Sequence, residues 1–197
     1  MVKPFELTGE SRYLGLPLGF GFLGVSYAIS AISYYPTFDF AKIGWLQLYI
    51  RGAAFLFLAV TYYFSKSANK SHLLWDIALG MIGSLMAILV LFTIISPEIS
   101  LSDYKIASIC VRVISLICLC YISIHALKSH IEQPDPTTLT APFGYVFLAI
   151  GQYSLLIWII ESSYFAFFGA LAFRLTGLGI FLYVAYKGFY SKERIDK

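Results

Sequence analysis

Long apolar stretches separated by short polar ones set the pattern of the chain. Six stretches are long enough to cross a bilayer: residues 14–34, 44–64, 77–95, 106–127, 143–160 and 166–186. A hydrocarbon core of about 30 Å needs roughly 20 helical residues. Inside lipid only α-helices and closed barrels satisfy every backbone polar group. Barrel strands alternate polar and apolar positions with a period of two, and residues 53–60 and 85–92 show no such alternation. The pattern therefore predicts an all-α polytopic membrane protein, a bundle of six transmembrane helices in one integral membrane domain over residues 1–197. The first stretch is too long for the apolar region of a signal peptide. Glu6 and Glu10 also stand where a basic region would precede one, so this stretch is expected to be a retained helix.

Composition agrees with lipid as the solvent. Of the 197 residues, 59% are hydrophobic and 13% charged. A water-facing surface on a domain of this size takes about 25% charged residues. The net charge of +3 matters through its placement. Lys3, Arg12, Lys66, Lys70, Lys128, Lys187, Lys192, Arg194 and Lys197 fall on one side of a six-span arrangement, against Lys42 and Lys105 on the other. The excess of positive charge in cytoplasmic segments then puts both termini in the cytoplasm of a cell-membrane protein.

The connections predict antiparallel neighbours. Three outer ones, residues 35–43, 96–105 and 161–165, are short. Short connections join neighbouring helices. Of the inner ones, residues 65–72 are short and polar, while residues 128–142 are longer and carry Pro134, Pro136 and Pro142. Arg51, Arg112 and Arg174 recur once in every second span, each followed by a lysine: Lys66, Lys128 and Lys187. The phrases Leu18-Gly19-Phe20-Gly21, Leu79-Gly80-Met81-Ile82-Gly83 and Leu148-Ala149-Ile150-Gly151 open the preceding spans. These regularities predict three antiparallel hairpin pseudo-repeats, at about residues 13–66, 73–128 and 142–190.

The arginines are the candidate site. A charge at mid-span costs roughly 3 kcal/mol on insertion scales. Two expectations follow for Arg51, Arg112 and Arg174. They reach the outer headgroups or pair there with Asp39, Glu98, Asp103 and Glu161; or they face the bundle interior as a basic cluster that binds an anion or a lipid headgroup. Other chemistry finds little support. Asp76 and Glu161 sit at span ends, and no carboxylate lies mid-span to couple transport to an ion. His72, His125 and His130 lie at the cytoplasmic boundary without ligand spacing, so no metal or cofactor is expected. Cys110, Cys118 and Cys120 are expected to pack as small apolar residues. Glycines at 15, 19, 21, 24, 80, 83, 169, 177 and 179 offer faces for close helix approach. Trp45, Tyr49, Tyr104 and Tyr164 read as outer interface anchors, and Tyr62, Tyr63, Trp75, Tyr145, Tyr186 and Tyr190 as inner ones.

The phrases Tyr13-Leu14-Gly15-Leu16 to Gly24-Val25-Ser26-Tyr27 and Phe173-Arg174-Leu175-Thr176-Gly177 to Tyr186 resemble the multi-helix membrane sensor regions that precede histidine kinases in some prokaryotes. The resemblance covers two helices, is made of residues common to membrane helices, and implies a sensory module without an output domain.

The leading expectation is a non-catalytic membrane protein, an accessory subunit of a larger membrane complex or a small sensory module. Its partners would be membrane lipids and other membrane-protein subunits or copies of itself, with no nucleic acid. The alternative is a small-solute or anion transporter or channel with an arginine-lined outer entrance, and Gln152 and Ser154 as polar lining. An enzyme acting on lipid through Glu161 or Asp76 is weaker, because a lone carboxylate lacks a visible partner.

Overall fold

The structure is a computed structural model that describes residues 15–32, 40–65, 72–95, 101–132 and 140–190. Six helices make it up: α1 (Gly15–Ile32), α2 (Phe40–Ser65), α3 (His72–Ile95), α4 (Leu101–Glu132), α5 (Thr140–Glu161) and α6 (Tyr164–Tyr190). Each holds a segment long and apolar enough to cross a membrane, as expected of a multi-pass protein. Lys3, Arg12, Pro36, Asp39, Lys66, Lys70, Pro97, Glu98, Pro134, Asp135, Pro136, Lys192, Arg194 and Lys197 lie outside the described residues. The chain divides into two compact units, Met1–Cys118 and Leu119–Lys197, with the division inside α4.

In the first unit α1 lies along α2, and glycine sets their separation. A Cβ at Gly15 would run into Thr61, and one at Gly19 would sit 2.7 Å from Leu58. The contacts climb α1 as they descend α2, the order of an antiparallel pair. Gly15 and Gly19 form a G-x-x-x-G pair, and the helix it meets belongs to this same chain. Pro17 falls in the first turn of α1, where its missing N–H costs no bond. Phe22 stacks on Phe57 at 5.4 Å. Around this seam Ala54, Phe55 and Leu58 are fully buried. On another side Gly52 faces Val111 of α4, and Trp45 meets Tyr104 edge-on at 5.3 Å.

Helix α3 joins this unit at its start. Trp75 is buried against Phe64, with ring centroids 5.7 Å apart, and its ring also closes over Gly15. Beyond Trp75 the apolar residues Ile77, Met81, Leu85, Ile88 and Leu91 are exposed. A Cβ at Gly80 or Gly83 would meet open space.

In the second unit α5 and α6 pack in the same manner. A Cβ at Gly144 would press on Phe181, and Gly177 lies against Leu148 and the Gly144 carbonyl. Tyr145 packs edge-on against Phe181 at 4.7 Å. Only Ser162 and Ser163 separate the two helices, a tighter connection than the expected residues 161–165. Ser162 adopts φ 54° and donates its N–H to the Trp158 carbonyl at 2.8 Å. This is the left-handed closure that ends many helices. The Ser163 carbonyl then accepts from the Phe167 N–H at 3.2 Å, opening α6.

Two sequence expectations need correction here. Pro142 is not in the inner connection; it is the third residue of α5, because a proline is tolerated in a first turn. Trp45, Trp75 and Tyr145 are not headgroup-facing anchors but core residues; Trp75 closes over Gly15, and Trp45 and Tyr145 pack on other rings, Tyr104 and Phe181. Tyr63, Tyr164 and Tyr186 are exposed, as anchors would be.

Candidate functional site

Arg51 sits in the buried middle of α2, held by two residues of α1. Its Nε donates to Ser26 Oγ at 3.2 Å, and its guanidinium carbon lies 5.1 Å from the centre of the Tyr27 ring. Ser26 in turn donates to the Gln47 carbonyl at 3.4 Å. The antiparallel register makes this possible, because it sets residue 26 of α1 opposite residue 51 of α2. Only 7% of Arg51 is exposed. Snorkelling to a headgroup would leave the charged end in water, so that expectation fails for Arg51.

Arg112 projects from α4 in the same unit. Its Nε donates to Ser108 Oγ, one turn back on the same helix, at 3.0 Å. Its Nη1 is buried and has no hydrogen-bond acceptor among the described residues. Arg51 and Arg112 are close enough to act on each other electrostatically, and Tyr104 acts on both. Tyr27 Oη, on the residue stacked against Arg51, is buried with no hydrogen-bond partner among the described residues. Among the described residues the charged or titratable groups that act most strongly are Tyr27 and Tyr104 on Arg51, and Arg51 and Tyr104 on Arg112, with no carboxylate among them. Asp103 and Glu161 are exposed.

The site is therefore rich in donors and poor in acceptors. Guanidinium groups only donate, and a phenol donates most readily. Two cations in an apolar interior each carry a cost of roughly 3 kcal/mol on insertion scales, and like charges add to it. Among the described residues no negatively charged group with several acceptor oxygens stands against the two arginines.

Arg174 belongs to the second unit. Its Nη2 donates to Gln152 Oε1 of α5 at 3.3 Å. The side chain lies along Gly151, whose absent Cβ would fall 3.0 Å from Arg174 Cγ. Gln152 is 1% exposed, and its Nε2 has no acceptor among the described residues. Ser154, expected beside Gln152 as polar lining, returns its hydroxyl to the Ile150 carbonyl at 2.9 Å.

Within the first unit the structure thus brings Arg51 and Arg112 together, and it gives Arg174 a setting of its own in the second. Ser26, Tyr27, Ser108 and Tyr104 are the partners that sequence reasoning missed. Ser108 was findable, since it lies four residues before Arg112 on one helix face. Ser26 and Tyr27 depend on the register between two helices, which apolar patterning leaves open. Elsewhere, Cys118 is buried while Cys110 and Cys120 are exposed, so only one of the three cysteines packs as expected. His125 stacks on Tyr121 at 5.9 Å. Among the described residues no three His, Cys, Asp or Glu side chains are grouped to hold a metal ion. Comparison with known protein families, curated proteins and solved structures finds no match.

Proposed function

We propose that this chain is a non-catalytic multi-pass protein of the cell membrane, with both termini in the cytoplasm, that binds an oxyanion between Arg51 and Arg112. The observation that carries the reading is the pair itself: two neighbouring arginines, one almost wholly buried, without a described carboxylate between them. The ligand would give Arg112 Nη1 and Tyr27 Oη the acceptors they lack and offset both charges. Its chemistry is that of phosphate or carboxylate, borne either by a free anion or by a lipid headgroup. Depth bears on the source. Arg51 follows the start of the span Ile43–Phe64 by eight residues, about 12 Å along a helix that rises 1.5 Å per residue. A free anion transported or sensed at that depth fits better than a headgroup held at the surface.

The test uses the purified full chain in neutral-lipid nanodiscs. Added phosphate should raise the thermal unfolding temperature, and Arg112→Gln should remove the rise while keeping helix content. Discs containing anionic lipid, without phosphate, separate the headgroup source from the free anion. Phosphate flux into proteoliposomes that depends on Arg112 would assign transport; binding without flux would assign sensing. No response to phosphate or anionic lipid, with Arg112→Gln matching the parent, would refute the reading.

A second reading, an accessory subunit of a larger membrane complex, is favoured by α3. Its span Leu74–Leu91 is only 6% buried and carries the open faces of Gly80 and Gly83. Small residues at a lipid-exposed face allow another helix to approach closely. Purification in mild detergent followed by a blue-native gel tests it. A large band with stoichiometric partners supports this reading, and a lone chain from native membranes opposes it.

A further inference from the structure

We infer that Gln152 and Arg174 form a second oxyanion site, built into the α5–α6 pair and independent of the site at Arg51 and Arg112. An arginine only donates, so the amide of Gln152 must turn its oxygen toward Arg174. That is the arrangement found, with Arg174 Nη2 on Gln152 Oε1 at 3.3 Å. That leaves Nε2, on the other branch of the same amide, buried and without an acceptor among the described residues. A buried amide donor left unmade is costly, and Gln152 is 1% exposed, so bulk water does not relieve it. Gly151 makes room for the stem of Arg174, since a Cβ there would touch Arg174 Cγ at 3.0 Å, and so lets the guanidinium reach Gln152. An amide N–H beside a guanidinium suits a ligand with two acceptor oxygens on one centre, a carboxylate or a phosphate.

A second observation points the same way. The start of α5 repeats the start of α1: Pro17-Leu18-Gly19-Phe20 and Phe22-Leu23 against Pro142-Phe143-Gly144-Tyr145 and Phe147-Leu148. Contacts follow the same spacing. Gly19 meets Leu58 as Gly144 meets Phe181. Eight positions after each glycine comes the partner of the arginine, Tyr27 for Arg51 and Gln152 for Arg174. Each arginine precedes its Leu58 or Phe181 by seven positions. The pseudo-repeat on this reading relates the first and third hairpins, and it aligns Gly19 with Gly144 rather than with the Leu148–Gly151 phrase. Evolution of one hairpin from the other would give both an arginine with a polar neighbour at the same place.

The test measures binding to the full chain in neutral-lipid nanodiscs, with inorganic phosphate and oleate as separate probes for a free and an amphiphile-borne oxyanion. It is run in the Arg112→Gln background, so the first site does not contribute. One probe should still bind, and Gln152→Leu should weaken it at least about tenfold, the loss of one hydrogen bond to a charged group. Gln152→Glu supplies the two oxygens internally. It should abolish binding of either probe and raise the unfolding temperature of the unliganded protein, so a poorly folding Gln152→Leu chain does not void the test. Absence of binding of both probes to the Arg112→Gln chain, or binding that survives Gln152→Glu, would overturn the second site. The first site is judged separately, by the parent against Arg112→Gln.

Discussion

Helices α2 and α3 are similarly apolar and follow each other in the chain, yet 56% of the α2 span is buried and 6% of the α3 span. Both carry glycines. Those facing α2 from α1 have no room for a side chain, while Gly80 and Gly83 of α3 have nothing near them. In water an apolar helix surface like that of α3 would be driven into a core. In lipid no such drive acts between helices, so apolarity does not tell interior from exterior. What distinguishes α2 is polar and small residues: Arg51, Thr61 and the facing Ser26, Gly15 and Gly19. Interior faces in this chain are marked by what is not hydrophobic.

Substitutions can break or sharpen that contrast. The largest effect is expected at Gly19, where a leucine must displace Leu58 or part α1 from α2. Overpacking of this kind costs about 1–3 kcal/mol, read as earlier unfolding in a denaturant titration of the detergent-solubilised protein. Arg51→Met should act in the opposite sense. Replacing a buried charge that has no carboxylate partner among the described residues by an apolar side chain of similar length is expected to stabilise the unliganded protein by about 1–3 kcal/mol. The same change should abolish phosphate-dependent stabilisation. Stability and binding moving in opposite directions would be the mark of a charge kept for a ligand.

Smaller effects belong to the periphery. Ser162 holds φ 54°, a conformation that favours glycine, so Ser162→Gly should stabilise the α5–α6 connection by up to about 1 kcal/mol. Thermal unfolding of the variant against the parent measures it. Smallest of all, Gly80→Leu and Gly83→Leu should shift stability by no more than about 0.5 kcal/mol if lipid covers α3. Loss of a co-purifying partner in these variants, with stability unchanged, would instead make that face a subunit contact.

Much of the fold was legible in the sequence and much of the site was not. All six helices lie where long apolar runs place them, because length and composition suffice to mark a span. Helix ends were read less well. Pro142 looks like a loop residue by composition but starts α5, and residues 128–132 continue α4 although their polarity suggests a connection. Arg51, Arg112 and Arg174 stand out in any reading because charge within an apolar run is rare. Of their partners Gln152 was named as polar lining, but Ser26 and Tyr27 were not, since they gain meaning only from the register of one helix against the next. That register is set by Gly15, Gly19, Gly144 and Gly177; the first two and Gly177 were visible as spacers, but Gly144 and the residues opposite all four were not.

The central claim is that an oxyanion occupies the space between Arg51 and Arg112. The most direct measurement is an experimental structure of the full chain in nanodiscs with phosphate and, separately, with anionic lipid. The account predicts density for an oxyanion within hydrogen-bonding distance of Arg112 Nη1 and Tyr27 Oη. A side-chain carboxylate of the protein in that space, or water alone under both conditions, would contradict it.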